Sequence, residues 1–128
     1  MSYHFTKTVD LDFETAIEKV TEALAEEGFG VLTTIDVQAT LKKKIDVDFR
    51  PYRILGACNP GFAHKALLAE DKIGTMLPCN VIVQATDDGK IEVSAVDPAA
   101  SMSAISNPDL EGIAGEVRGK LQRVIDSL

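Results

Sequence analysis

Cysteine and histidine are scarce in this sequence, which argues against both a disulfide scaffold and a metal protein. Its 128 residues include two cysteines and two histidines. A chain of this length buries a sufficient core without disulfides or a structural metal. Because there is no Cys-x-x-Cys pair and no close pair of histidines, we predict no metal site and no other cofactor.

Basic charge and long apolar runs are lacking as well. The chain has 13 basic and 20 acidic residues, a formal net charge of -7, whereas nucleic acids and anionic membranes attract basic faces. No apolar stretch approaches the roughly 18 residues of a membrane span. The segment 1–9 alternates polar and apolar residues and has no signal-peptide core. We therefore expect a soluble cytoplasmic protein with free thiols and with neither nucleic-acid nor membrane partners.

Hydrophobic periodicity divides the chain into alternating strands and helices. The predicted strands are 3–9, 29–35, 52–58, 80–86 and 90–96, and the predicted helices are 13–27, 37–45, 60–70 and 108–128, with loops at 72–78 and 97–107. Asp12, Asn59 and Asn107 precede helices as N-caps. Gly28 suits the left-handed position after the first helix, where Phe29 would pack on Leu24 in a Schellman motif.

This element order predicts one α+β domain over residues 1–128. Five short strands and four helices in so short a chain favour a two-layer sandwich, with helices packed on one face of the sheet. Asp87-Asp88-Gly89 is typical of a hairpin turn, so the last two strands should be antiparallel. Whether the whole sheet is antiparallel or mixed stays open at this point.

Four segments, taken together and in order, carry a resemblance to a known family. They are EEGFGVLTTIDVQATL (26–41), ILGACNP (54–60), LPCNVIV (77–83) and SAVDP (94–98). The chain resembles the family called domain of unknown function 302 over nearly its whole length. The resemblance implies a compact α/β sandwich that often pairs as a homodimer. It implies no activity, because the family has none assigned.

The junction between the third strand and the following helix is the predicted site. Cys58 ends the strand, Asn59 caps the helix, and Gly61 leaves room at the helix start. Unpaired amides and the helix dipole there favour an anion, so a small anionic ligand or a reactive thiolate is one interpretation. His64, within the same helix, is a candidate base. The alternative is that Cys58 is a small hydrophobic residue of the core.

Cys79, directly before the fourth strand, and Asn80, the first residue of that strand, complete the set of candidate site residues. If the third and fourth strands are antiparallel, Cys58 and Cys79 share one end of the sheet. If these strands are parallel, the thiols lie far apart. A disulfide would also need Cα atoms closer than about 7 Å.

Glycine recurs in the last helix at Gly112, Gly115 and Gly119, opposite its apolar stripe. Each glycine inside a helix costs about 1 kcal/mol relative to alanine. Three on one outer face suggest a close approach by another backbone, such as the same helix in a second subunit. An exposed helix that tolerates poor propensity is the alternative.

These observations support three functional hypotheses. The first is a small non-catalytic domain that binds a ligand or partner at the Cys58-Asn59-Pro60 junction. The second is a redox protein or enzyme in which Cys58 reacts and Cys79 resolves the product. The third is a homodimeric interaction module that uses the glycine face. The sequence names no substrate for any of them.

Overall fold

The structure, a computed structural model, describes residues 2–128. Strands and helices alternate along these residues in an order close to the predicted one. The strands are β1 (His4–Val9), β2 (Gly30–Asp36), β3 (Tyr52–Cys58), β4 (Cys79–Ala85) and β5 (Ile91–Val96). The α-helices are α1 (Phe13–Glu26), α2 (Val37–Ile45), α3 (Pro60–Ala69), α4 (Pro98–Ser101) and α5 (Pro108–Asp126). A 3-10 helix, Asp71–Met76, lies between α3 and β4.

Local capping chemistry fixes both ends of α1. The Asp12 carboxylate accepts a hydrogen bond from a first-turn backbone N–H at 2.8 Å. At the other end, Gly28 has φ +85° and the Phe29 N–H donates to the Leu24 carbonyl at 2.9 Å. This is the hydrogen bond of a Schellman motif, so the predicted helix end is confirmed. Asn59 and Asn107 likewise cap α3 and α5 with their side chains.

Two segments predicted as loops contain helical turns. Within 97–107, the Asp97 carboxylate accepts hydrogen bonds from two N–H groups of α4, at 3.0 and 3.3 Å, and from Arg118 Nε at 3.1 Å. Asp97 therefore caps the start of a helix that is too short to show hydrophobic periodicity in the sequence. Within 72–78, the chain forms most of the 3-10 helix, whose residue Ile73 is fully buried.

The sheet is antiparallel throughout. Its strand order is β1-β5-β4-β3-β2, and every neighbouring pair runs antiparallel. The α+β class and the five-strand sheet are thus confirmed, and the choice between an antiparallel and a mixed sheet is answered. The connections from β2 through β5 each return the chain beside the strand it has just left, whereas α1 carries it from β1 at one edge of the sheet to β2 at the other.

One face of the sheet forms the main core. Alternate residues of the central strands are buried on this face and pack against apolar side chains of α1 and α5. The strand residues include Leu55, Val81, Val83, Val93 and Ala95, and the helix residues include Val20, Leu24, Leu121 and Val124. A second buried cluster, formed by Ala66, Ile73, Met102, Leu110 and Ala114, joins α3 to the start of α5. The gap between these clusters positions the site described below.

The longest helix, α5, has 19 residues and two distinct faces. Leu110, Val117 and Leu121 are buried on one of them, whereas Gly112 and Gly115 are exposed on the other. This amphipathic arrangement, with one apolar face and one exposed face, is typical of a helix that covers a core. Within residues 2–128, neither α5 nor any other helix is long and apolar enough to cross a bilayer.

Gly56 allows β2 and the β3–β4 pair to approach closely. A Cβ atom at this position would lie 2.1 Å from Thr33 Oγ1 and 2.8 Å from Pro78 Cγ. The threonine side chain can rotate away, but the proline ring is held by its own backbone. A side chain at position 56 would therefore push apart the strands that border the site.

We predict that Gly56→Ala lowers the free energy of unfolding by roughly 1–3 kcal/mol, because an added methyl group overpacks this contact. Gly30→Ala is the matched control, since a Cβ at Gly30 meets nothing within 4 Å. Chemical denaturation of both variants measures the difference. Equal stability of the two variants would show that the close approach at Gly56 is relieved without cost.

Candidate functional site

The register of β3 on β4 brings the two thiols to one end of the sheet. Ala57 is the Cα partner of Cys79, and Cys58 follows Ala57 at the end of β3. The two cysteines are free. Of the two arrangements left open by the sequence, the structure has the antiparallel one, in which the two cysteines share one end of the sheet.

Between α3, α5 and this end of the sheet lies a cavity of about 310 Å³. Cys58 and Asn59 line it from the strand-to-helix junction, and Cys79 lines it from β4. The remaining walls are apolar, and they include Phe62, Ala63, Met102, Leu110 and Ala114. Binding sites for small molecules are commonly this concave and this apolar, although this one is near the lower end of their size range.

The small size of several wall residues explains why the cavity exists. Ala63 and Ala66 face it from α3, and Ala114 faces it from α5. Helices normally interdigitate side chains at their contacts. Alanines on both helices leave space that larger residues would fill, so the cavity follows from sequence and not from loose packing of the whole domain.

The amide of Asn59 is engaged in holding the local structure. Its Oδ1 accepts a hydrogen bond from the Phe62 N–H at 3.4 Å, and its Nδ2 donates to the Glu27 carbonyl at 3.5 Å. Asn59 thereby ties the start of α3 to the end of α1. A ligand in the cavity would have to displace these bonds before Asn59 could bind it.

The environment of Cys79 opposes thiolate chemistry. Burial, with a smaller contribution from repulsion by Cys58, raises the pKa of the Cys79 thiol to about 11. The neutral thiol is therefore the dominant form near pH 7, and thiolate is the nucleophilic form of cysteine. Cys58 is half-buried at the edge of the same cavity.

The strand geometry also disfavours a disulfide as the structure stands. From the pairing of Ala57 with Cys79, the Cα atoms of Cys58 and Cys79 lie about 6 Å apart, which is within reach. Successive side chains of a strand point to opposite faces, however, so the two Cβ vectors diverge. Forming the bridge would require the end of β3 to rotate.

The other predicted site residues lie outside the cavity. Gly61 and His64 are exposed on α3, and Asn80 is exposed on β4, where it pairs with Gly56. No hydrogen bond joins Cys58 to His64 within residues 2–128. The arrangement thus gives the thiol no adjacent base of the kind that activates a nucleophile.

Sequence reasoning missed the contribution of the second half of the chain. Met102, directly after α4, and Leu110 and Ala114, within α5, line the cavity and are far in sequence from Cys58. The small residues of α3 and α5 were the available signal, but without the packing of these helices nothing connects them. In the described part of the chain, no group of three or more His, Cys, Asp or Glu side chains could hold a metal ion.

The comparisons with known proteins agree with this architecture. Residues 5–128 match the family described as domain of unknown function DUF302. The chain belongs to this family. A crystal structure of an uncharacterized conserved DUF302 protein from Bacillus stearothermophilus has 31% sequence identity to it and a TM-score of 0.91, with 98% of each chain covered. No curated protein matches the sequence.

Membership of the DUF302 family confirms the resemblance seen in the sequence, and the match includes the whole of α5. It assigns no specific function, because the family is defined as a domain of unknown function.

We predict that Cys79 resists alkylation in the folded protein except at high pH. Because the pKa of Cys79 is raised to about 11, its thiolate appears only as the pH approaches that value. Alkylation with iodoacetamide, read by mass spectrometry, should label Cys58 first and Cys79 only above about pH 10. In denaturant, both cysteines should react as ordinary thiols, with pKa values near 8.5.

Rapid labelling of Cys79 at pH 8, under conditions in which the protein stays folded, would contradict the burial of this thiol. Circular dichroism at each pH provides the control, because unfolding in alkali would expose Cys79 and imitate the same result.

Proposed function

We propose that this DUF302 chain is a non-catalytic binding domain that takes a small, mainly apolar molecule into the cavity beside Cys58 and Cys79. The observation that carries the proposal is the cavity itself, about 310 Å³ in volume and lined almost entirely by apolar side chains. In this function, the thiols act as soft apolar walls and Asn59 holds the shape of the site. The chain acts as one cytoplasmic domain over residues 1–128.

The lining favours an apolar ligand over a small inorganic anion. Among residues 2–128, none that lines the cavity carries a charge. The Phe62 N–H at the start of α3 is already bonded to Asn59. An anion placed in the cavity would lose its hydration and gain no compensating partner, which is costly. A hydrocarbon group has no such hydration to lose, and its transfer from water into the cavity is favourable because of the hydrophobic effect.

The opening of the cavity is apolar too. Leu32 and Leu67 line it although they are 68% and 44% exposed. Large exposed apolar residues that border a concave surface are typical of a binding site. An occupant that covered these two side chains would gain at about 25 cal/mol for each Å² of apolar surface removed from water.

We predict that filling the cavity abolishes binding. Ala63→Phe places a ring in the space beside Phe62, and we expect it to weaken binding of 1-octanol by at least about tenfold, since the apolar group loses its volume. Isothermal titration calorimetry measures the affinity, and amide chemical shifts of cavity residues locate the ligand.

Ala25→Phe is the matched control, because Ala25 is exposed near the end of α1 and lies outside the cavity. It should leave the affinity for 1-octanol unchanged. If the unmodified protein shows no saturable binding, or if Ala63→Phe binds 1-octanol as tightly as Ala25→Phe, the proposed site is wrong.

A second candidate function is self-association through the glycine face of α5. An added Cβ at Gly112 or Gly115 would meet nothing within 4 Å, and at Gly119 it would meet only Arg123 Nη1 at 3.7 Å. Packing within the described part of the chain therefore gives no reason for glycine at these positions. A close helix–helix contact in a homodimer would supply one.

Replacing all three glycines with alanine separates the two interpretations. If the face is a dimer interface, the dimer should weaken by roughly tenfold or more, while the isolated chain gains up to about 1 kcal/mol per site from helix propensity. Sedimentation equilibrium measures association and thermal unfolding measures stability. A more stable protein whose association is unchanged would eliminate the glycine-face interface.

A further inference from the structure

A pair of lysines flanks one wall of the cavity. Phe62 lines the cavity, and the Nζ atoms of Lys65 and Lys120 lie 5.5 and 5.8 Å from the centroid of its ring. Both distances are within the range at which an ammonium group interacts with an aromatic face. Phe62 is half-buried, so its ring borders both the apolar cavity and two positively charged groups.

The charges around this wall do not cancel. Glu27 Oε1 lies 4.0 Å from Lys120 Nζ and 3.0 Å from Arg123 Nη2, so one carboxylate forms salt bridges with two cations. Lys65 makes no salt bridge within residues 2–128. Glu116 lies one turn before Lys120 on the exposed side of α5, and it too makes no salt bridge among these residues.

A positive edge of this kind is unusual for a chain whose formal net charge is -7. Cations close to an apolar surface are attracted to an anion more strongly than cations in bulk water, because the low dielectric of the protein screens them less. Lys120 also keeps only 28% of its side chain exposed, which limits its screening by salt. The local charge is thus suited to a partner of opposite sign.

We propose that the ligand of the cavity is a short amphiphile whose apolar tail lies inside and whose anionic head group is bound by Lys65 and Lys120 beside Phe62. This inference rests on the proposed function and adds to it the charge of the ligand. The small volume of the cavity, about 310 Å³, limits the tail to a medium length. An anionic head group at the edge keeps its hydration, so it avoids the cost that excludes an anion from the interior.

Three probes with the same eight-carbon tail and different head groups test the inference. Octanoate is anionic, 1-octanol is neutral, and octylammonium is cationic at neutral pH. We expect octanoate to bind tightest and octylammonium weakest, each step by several fold, because only the head group differs. Raising the salt concentration should weaken octanoate and leave 1-octanol nearly unchanged.

The double variant Lys65→Gln/Lys120→Gln should weaken octanoate about fivefold to tenfold and leave 1-octanol unaffected, as expected for two partly exposed ion pairs. Lys43→Gln/Lys44→Gln is the matched control. It removes the same charge from exposed positions at the end of α2, which precedes β3 and lies away from the Cys58 end of that strand. This control should bind octanoate almost as the unmodified protein does.

The outcomes separate this inference from the proposed function. Equal binding of octanoate and 1-octanol, or an equal effect of the two double variants on octanoate, would overturn the head-group site while the apolar cavity remains. Failure of all three probes to bind would overturn both proposals.

Discussion

The pairing of β3 with β4 is the constraint on which the rest of the site depends. Because Ala57 pairs with Cys79, the end of β3 and the start of β4 lie at the same end of the sheet. The chain must then leave β3 through α3 and return to β4 through the 3-10 helix. Both segments are thereby held over the same end of the core, where α5 also begins. A shift of this register by one residue would turn every side chain of one strand to its other face.

Local chemistry made much of the fold predictable. The end of α1 is determined by residues within six positions of one another, since Gly28 adopts φ +85° and Phe29 reaches back to Leu24. The starts of α3 and α5 depend likewise on an asparagine cap followed by proline. Such features depend on residues that are close together in the chain, so they can be predicted from the sequence alone.

The elements that escaped prediction depend on distant partners. The segment that forms α4 is short and rich in alanine and serine, and its capping residue Asp97 is held by Arg118 from α5. Burial of Ile73 in the second cluster accompanies the 3-10 helix that precedes β4. Neither contact produces hydrophobic periodicity in its own segment, because tertiary packing decides the local conformation in both cases.

In the candidate site, too, the residues predicted from local sequence differ from those that depend on tertiary packing. Cys58, Asn59 and Cys79 were identified from strand ends and a cap, and all three line the cavity. Sequence alone makes His64, on the same helix, a candidate base, but Phe62, Ala63 and Ala66 occupy the inner side of α3 and His64 is exposed. The facing walls from α4 and α5 depend on how helices pack. Which residues of a helix share a face is readable from its periodicity, but which other helix that face meets is not.

The protonation of Cys79 connects the geometry of the site with its proposed role. A thiol whose pKa is raised to about 11 remains neutral across the physiological range, and neutral cysteine behaves as a small hydrophobic group with a weak donor. It therefore adds little polarity to an apolar wall. A cavity built for nucleophilic chemistry would instead stabilise the thiolate with a nearby cation or base. The cations here, Lys65 and Lys120, lie beside the Phe62 ring, where the proposed ligand would place its head group.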